Sequence, residues 1–198
     1  MTASPGFTGD SAARVQERPR HLSLTGRCPR AANIVALIRL HVTFQCVQVY
    51  QLGSGTPKVA VVGGIHGDEP CGPRGIDRVL ADDPDVDRPV KFVVANEAAA
   101  EQDTRYVDED LNRAYPGDPD ADTHEGRLAA ALRRELEGCT TLSLHSTQSY
   151  AEPFAITETV DEIAQSVVPR LPVEYLVESA AFSQGRFIEQ AHTVEAEC

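Results

Sequence analysis

Positive charge is scarce in this sequence. Of 198 residues, eighteen are Lys or Arg against thirty Asp or Glu, for a formal net charge of −12, and only Lys58 and Lys91 are lysines. Proteins that grip a phosphate backbone usually display a basic face, so the deficit argues against nucleic acid as a partner. An acidic, lysine-poor surface fits a halophilic, GC-rich source, because surface carboxylates help to keep a protein soluble. Paired cysteines are missing as well. Cys28, Cys46, Cys71, Cys139 and Cys198 are odd in number, widely spaced and without a Cys-x-x-Cys pair. This indicates neither a disulfide framework nor a thiolate zinc site, and fits a reducing cytoplasm. Nor is there a long hydrophobic run. The most apolar stretch, Ala31 to Val49, is interrupted by Arg39, His41 and Gln45, and its cleanest run, Ile34 to Ile38, is too short to cross a bilayer. It also starts too late, and lacks the small-residue cleavage site, for a secretory signal. The expectation is a soluble cytoplasmic protein without a membrane partner. No internal repeat or Gly-Ser linker divides the chain, and its length predicts one domain with a real core.

Residues 1–45 carry Pro, Arg, Ser and Gly without sustained periodicity, then an apolar patch, and read as a poorly ordered leader. The texture changes at Val47. Val47 to Leu52 reads as a strand, Gly53-Ser54-Gly55 as a turn and Val59-Ala60-Val61-Val62 as a fully buried strand. Pro73 to Ala81 places Ile76, Val79 and Leu80 at helical spacing, Lys91 to Ala95 is a second buried strand, and Thr123 to Glu137 is amphipathic through Leu128, Leu132 and Leu136. Thr141 to Leu144 gives a third strand. Phe154 to Thr157, Val160 to Val168, Val173 to Val177 and Thr193 to Glu195 follow as strand, helix, strand and strand. Short apolar strands alternating with helices predict an α/β layered fold, a central mixed or largely parallel sheet flanked by helices.

The sharpest chemical signal is Gly63-Gly64-Ile65-His66-Gly67-Asp68-Glu69-Pro70, which follows a buried strand and precedes a helix. Strand ends are where α/β proteins build sites. The glycines allow a sharp turn, so the imidazole of His66 and the carboxylate of Glu69 can converge on one cation, and zinc accepts both ligand types. Catalytic zinc takes three protein ligands and keeps one position open, so a third is required. His145, ending the apolar strand after Leu144, is the candidate. His21, His41, His124 and His192 lack that context and read as ordinary surface or hydrogen-bonded histidines, although His192 lies close enough to Glu195 in sequence to line the same cleft.

A second signal is Asn96 followed by Arg105-Tyr106-Val107-Asp108-Glu109-Asp110-Leu111-Asn112-Arg113-Ala114-Tyr115-Pro116-Gly117. Three consecutive acids usually mark a solvated loop. Arginines at both ends, with Asn112, supply the donors that recognise a carboxylate. Taken alone the segment also reads as a salt-bridged surface loop.

With His145 and Thr193-Val194-Glu195 in this order, the two motifs resemble the succinylglutamate desuccinylase and aspartoacylase family, relatives of the zinc carboxypeptidases, over roughly Val47 to Cys198. The resemblance implies a zinc-carboxypeptidase-like layered fold and one zinc per chain on His66, Glu69 and His145. It implies that Arg105 stabilises the oxyanion, that Asn112 and Arg113 hold the substrate carboxylate, and that Glu195 is the base; Arg186 is a further candidate anion contact. Two departures follow. The leader has no counterpart, and residues 46–198 are expected to form a catalytic domain lacking the smaller C-terminal β-rich domain of the family, so that strands this domain would cover stand exposed.

The chemistry expected from this set is hydrolysis of the amide or ester bond of N-acyl amino acids such as succinylglutamate or N-acetylaspartate. Zinc lowers the pKa of bound water and polarises the carbonyl, a carboxylate moves the proton, and Arg105 shares the developing charge. No organic cofactor is needed. The alternatives are a zinc carboxypeptidase acting on peptides and a truncated, non-catalytic zinc-binding chain.

Overall fold

Val59 to Val62 becomes an inner strand of the sheet, paired on both sides. The computed structural model describes residues 47–147, 151–180, 184–189 and 192–197, and the leader assigned to residues 1–45 lies outside them. Among the described residues seven strands form one sheet: β1 (Gln48–Leu52), β2 (Val59–Gly63), β3 (Val90–Val94), β4 (Thr140–His145), β5 (Phe154–Thr157), β6 (Tyr175–Glu178) and β7 (Thr193–Glu197). Their spatial order is β1-β3-β2-β4-β7-β5-β6. The four central strands β3, β2, β4 and β7 run parallel, β1 lies antiparallel on β3, β5 lies antiparallel on β7, and β6 runs parallel to β5. The sheet is therefore mixed, with a parallel centre.

Side-chain alternation divides the core into two layers. Ala60, Val62 and Val93 face one side and pack with Leu128, Leu132 and Leu136 from helix α3 (His124–Glu135) and the residue just after it. Val61 and Phe92, one residue out of phase, face the other side with Ile76 and Leu80 of helix α1 (Cys71–Asp82). Parallel strands need coverage on both faces, and these two helices provide it. Val79, which shares the helical spacing of Ile76 and Leu80, is 37% exposed, because it lies on the outer flank of the apolar arc.

Two of the helices differ from the sequence expectation. A short helix α2 (Glu97–Glu101) follows β3, started by Asn96, whose side chain accepts from the Ala99 N–H at 3.2 Å. Helix α4 (Glu162–Val167) is short and passes into a 3-10 turn over Val168–Arg170 that contains Pro169, since proline cannot supply a helical N–H. The edge strand β6 is exposed throughout, with Tyr175 at 63%. No helix among the described residues is long and apolar enough to cross a membrane.

Candidate metal centre

The carboxyl ends of the central parallel strands meet on one side of the sheet. After β2 the chain turns through Gly64 (φ 72) and delivers His66 and Glu69 ahead of α1. Gly67 between them has no room for a side chain: a Cβ there would lie 2.3 Å from Ala100 N and 2.5 Å from Thr104 O. Its N–H donates to Arg105 O at 3.1 Å. This close backbone approach ties the turn that carries His66 and Glu69 to the Arg105 segment. His145 arrives on the neighbouring strand, whose register pairs Gly63 with Leu144.

His66, Glu69 and His145 are 2%, 5% and 2% exposed, and each offers one ligand atom within 4.8 Å of the other two. Nδ1 of His66 lies 2.7 Å from Oε1 of Glu69, and Nδ1 of His145 lies 3.0 Å from Oε2. Burial works against the Glu69 charge, but its hydrogen bonds to His145 and His66 hold the carboxyl far below the usual range. Burial likewise opposes charge on His66, but Asp110 and Glu69 together push its pKa up to about 9. The same balance, with Glu69 and Glu195 as the acidic neighbours, raises His145. Two imidazole nitrogens aimed at one buried carboxylate form a donor set that fits a divalent cation, because the positive charge held there by protons is what a metal would replace.

The outer nitrogens of both rings are also engaged. Nε2 of His66 faces Oδ1 of Asp110 at 3.0 Å, and Nε2 of His145 faces Oγ of Ser143 at 2.9 Å. Such partners fix which nitrogen points inward. Burial opposes ionisation of Asp110, yet its bond to and attraction by His66, with the Asn112 N–H and Arg105, together lower its pKa to about 2. Neither Asp110 nor Ser143 received a role from sequence. Ser143 was detectable in principle, since a residue two before His145 on a strand must share its face.

Arg105 joins the centre: its Nη1 lies 3.0 Å from Oε1 of Glu69, and its side chain is 40% exposed. Asn112 is buried, and its Oδ1 accepts from Phe187 N at 2.7 Å. Arg113 is exposed and donates from Nη1 to Asn112 O at 2.6 Å. Half-buried Arg186 acts electrostatically on Glu195.

Glu195 lies inside β7, opposite Ser143, and Glu197 lies opposite His145. β7 runs two residues beyond the strand expected to end at Glu195. Glu195 is 3% exposed, and its Oε1 has no hydrogen-bond partner among the described residues and sits 4.0 Å from Nε2 of His145. Burial pushes its pKa up, although His145 and Arg186 pull the other way. His192 does not line this cleft, contrary to its proximity in sequence. It precedes β7 at the opposite end of the strand, where its carbonyl accepts from Thr141 N at 2.9 Å and its ring lies 3.9 Å from Asp161.

One charged residue escaped the sequence analysis altogether. Glu125, in the first turn of α3, is fully buried at 0% exposure. It accepts the N–H groups of Val107, Asp108 and Glu109 at 2.7, 3.0 and 3.2 Å, and Asn96 Nδ2 at 3.0 Å.

The family model of the succinylglutamate desuccinylase/aspartoacylase catalytic domain matches residues 55–167. No curated protein matches the chain. Among solved structures, an aspartoacylase family protein from Mesorhizobium loti is 25% identical with a TM-score of 0.64, over 77% of this chain and 55% of that one. Murine aminoacylase 3 is also 25% identical, with a TM-score of 0.56 over 73% of this chain and 56% of that one. The succinylglutamate desuccinylase from Chromobacterium violaceum, at 21% identity and a TM-score of 0.62, covers 75% of this chain and 56% of its own, and at that identity shows the fold alone. The layered sheet described above is thus the zinc-carboxypeptidase-like fold of these structures, and the chain spans about half the length of the solved relatives it matches.

Proposed function

The chain belongs to the succinylglutamate desuccinylase/aspartoacylase family, and from that premise we propose that residues 46–198 form a zinc-dependent hydrolase of N-acyl amino acids, with compounds such as succinylglutamate or N-acetylaspartate as the substrate class. One observation carries the reading: buried His66, Glu69 and His145 converge within 4.8 Å at the strand ends, beside a buried Glu195 oxygen that lacks a partner among the described residues.

His66, Glu69 and His145 would hold the cation. Zinc bound there would polarise the scissile carbonyl and lower the pKa of the attacking water. Glu195 is assigned to proton transfer: it takes a proton as water adds to the carbonyl carbon, and returns it to the nitrogen as the C–N bond breaks, or to the oxygen of an ester. Its burial supports this role, because a raised pKa makes a carboxylate a better base and a better donor in turn. Arg105 is anchored on Glu69 yet 40% exposed, so its guanidinium can also meet the oxygen that gains charge in the tetrahedral state. Asn112 has its Oδ1 occupied by Phe187 N, which leaves its NH₂ group as the donor, and that group already hydrogen-bonds Glu195. With Arg113 and Arg186 it is assigned to the substrate carboxylate, the group that paired donors recognise.

The test couples metal analysis of the purified chain to amine release from acylated Asp, Glu and Arg, beside a panel of peptides. About one zinc per chain, with acyl amino acids cleaved in preference to peptides, is the expected result. Preferential peptide cleavage would move the assignment to a carboxypeptidase. Zinc without turnover of either panel would leave a metal-binding protein and remove the hydrolase assignment.

A further inference from the structure

We propose that Glu125 is the positioning residue for the Arg105–Arg113 segment, holding the backbone that presents Asn112 and Arg113 to substrate and Asp110 to His66. The catalytic part of this statement rests on the deacylase reading above; the structural part does not.

Burying a carboxylate at 0% exposure is costly unless donors surround it. Glu125 has four. Oε1 takes Val107 N and Asn96 Nδ2, and Oε2 takes Asp108 N and Glu109 N. Three successive backbone N–H groups aimed at one anion make a concavity of the kind that binds phosphate or sulfate elsewhere, and here the protein fills it from within. The anion also lies in the first turn of α3, where the helix dipole favours negative charge.

Neither apolar packing nor regular secondary structure fixes the middle of this segment; hydrogen bonds to the start of α3 do. Tyr106 and Val107 are 42% and 37% exposed, so hydrophobic burial contributes little there. No helix or strand runs between α2 and the short turn at Leu111–Arg113. The segment answers the helix in kind: Asp108 accepts His124 N at 2.6 Å, and Glu109 pairs with the Thr123 hydroxyl. At the far end Asp110 accepts the N–H groups of Asn112, through Oδ1 at 2.8 Å, and of Arg113, through its carbonyl at 2.8 Å. Glu125 therefore orders residues 107–109, and those set where Asp110, Asn112 and Arg113 stand.

Glu125→Gln isolates the effect. It keeps the shape but turns one oxygen into an NH₂ group, so whichever way the amide is oriented a donor faces a donor. Amide hydrogen exchange on the metal-free chain reads the outcome without any assay of activity. We expect the amides of Asn112 and Arg113, which do not touch Glu125, to exchange at least about ten-fold faster, while those of β2 and β4 keep parent rates. Where the parent is active, kcat/KM should fall further for an acyl amino acid than for its neutral carboxamide, a split that general loss of stability does not produce. Parent-like exchange at residues 112–113, or equal acceleration across β2, β4 and the segment, overturns the proposal. If the Gln variant does not fold, Glu125→Asp, which keeps the charge but withdraws it by one methylene, is read by the same criterion. A parent that cleaves no acyl amino acid removes the deacylase reading and leaves the exchange result to decide Glu125.

Discussion

Oδ1 of Asp110 lies 3.0 Å from Nε2 of His66, on the opposite side of the ring from the nitrogen that faces Glu69. A carboxylate there holds the imidazole in the orientation that leaves Nδ1 for a metal and makes the ring a better ligand. Asp110→Ala should weaken zinc binding by roughly 10- to 100-fold while the chain stays folded. Competition with a chelator of known affinity measures it, and unchanged affinity would show that the contact does not orient the ring.

Glu195→Gln retains shape and hydrogen bonding but cannot accept a proton. In an active parent it should keep its zinc and lose roughly 10²-fold or more in kcat. If both kcat and zinc are unchanged, the base is elsewhere, and Glu197, opposite His145 on the same face of β7, is the carboxylate to replace next.

Arg113→Ala should raise KM for substrates bearing a carboxylate more than for neutral analogues, because a guanidinium recognises that group through paired hydrogen bonds. Equal losses on both substrate types would return Arg113 to a purely structural role, in keeping with its bond to Asn112 O.

Gly67→Ala tests the packing under the turn that carries His66 and Glu69. The added methyl would stand 2.3 Å from Ala99 C and Ala100 N, and backbone cannot step aside as a flexible side chain can. The variant should lose roughly 1–3 kcal/mol of stability, as overpacking does, and bind less zinc because His66 and Glu69 are displaced with it. Denaturant titration of the metal-free chain gives the first quantity, and a parent-like midpoint would contradict the stated contacts.

Acid should loosen the Arg105–Arg113 segment through Glu125. Burial opposes its charge, but the amides of Val107, Asp108 and Glu109 and the side chain of Asn96 hold its pKa below the ordinary 4.5. Well above 4.5 the group is ionised in both the folded and unfolded chain, so its contribution to stability is fully present. As the pH drops below 4.5 the unfolded chain takes up a proton first, and the contribution is lost down through the lower folded pKa. Thermal melts across this acid range should show a steeper fall in Tm for the parent than for Glu125→Gln. Parallel curves would mean that Glu125 is not a source of the acid sensitivity.

The sequence by itself determined the local pieces. Glycines around His66, a buried strand before it and a helix after it dictate a strand-turn-helix in which a histidine and a carboxylate three residues apart can meet, and the structure joins them at 2.7 Å. The leucine spacing of α3 and the apolar runs of β2, β3 and β4 were equally legible, because periodicity is a property of neighbouring residues. Tertiary structure decided whatever depends on register and on distant partners. His145 reaches Glu69 only because β2 and β4 pair in parallel with Gly63 beside Leu144. Glu195 and His192, three residues apart, take different surroundings because β7 carries Glu195 to a place opposite Ser143 and near His145, while His192 stays before the first residue of the strand, beside Thr141. Asp110 and Glu125 acquired their roles from groups up to 44 and 29 residues away. Their hydrogen bonds follow from chain crossings that no local pattern encodes, so in the sequence they look like any other acidic residues in a chain rich in them.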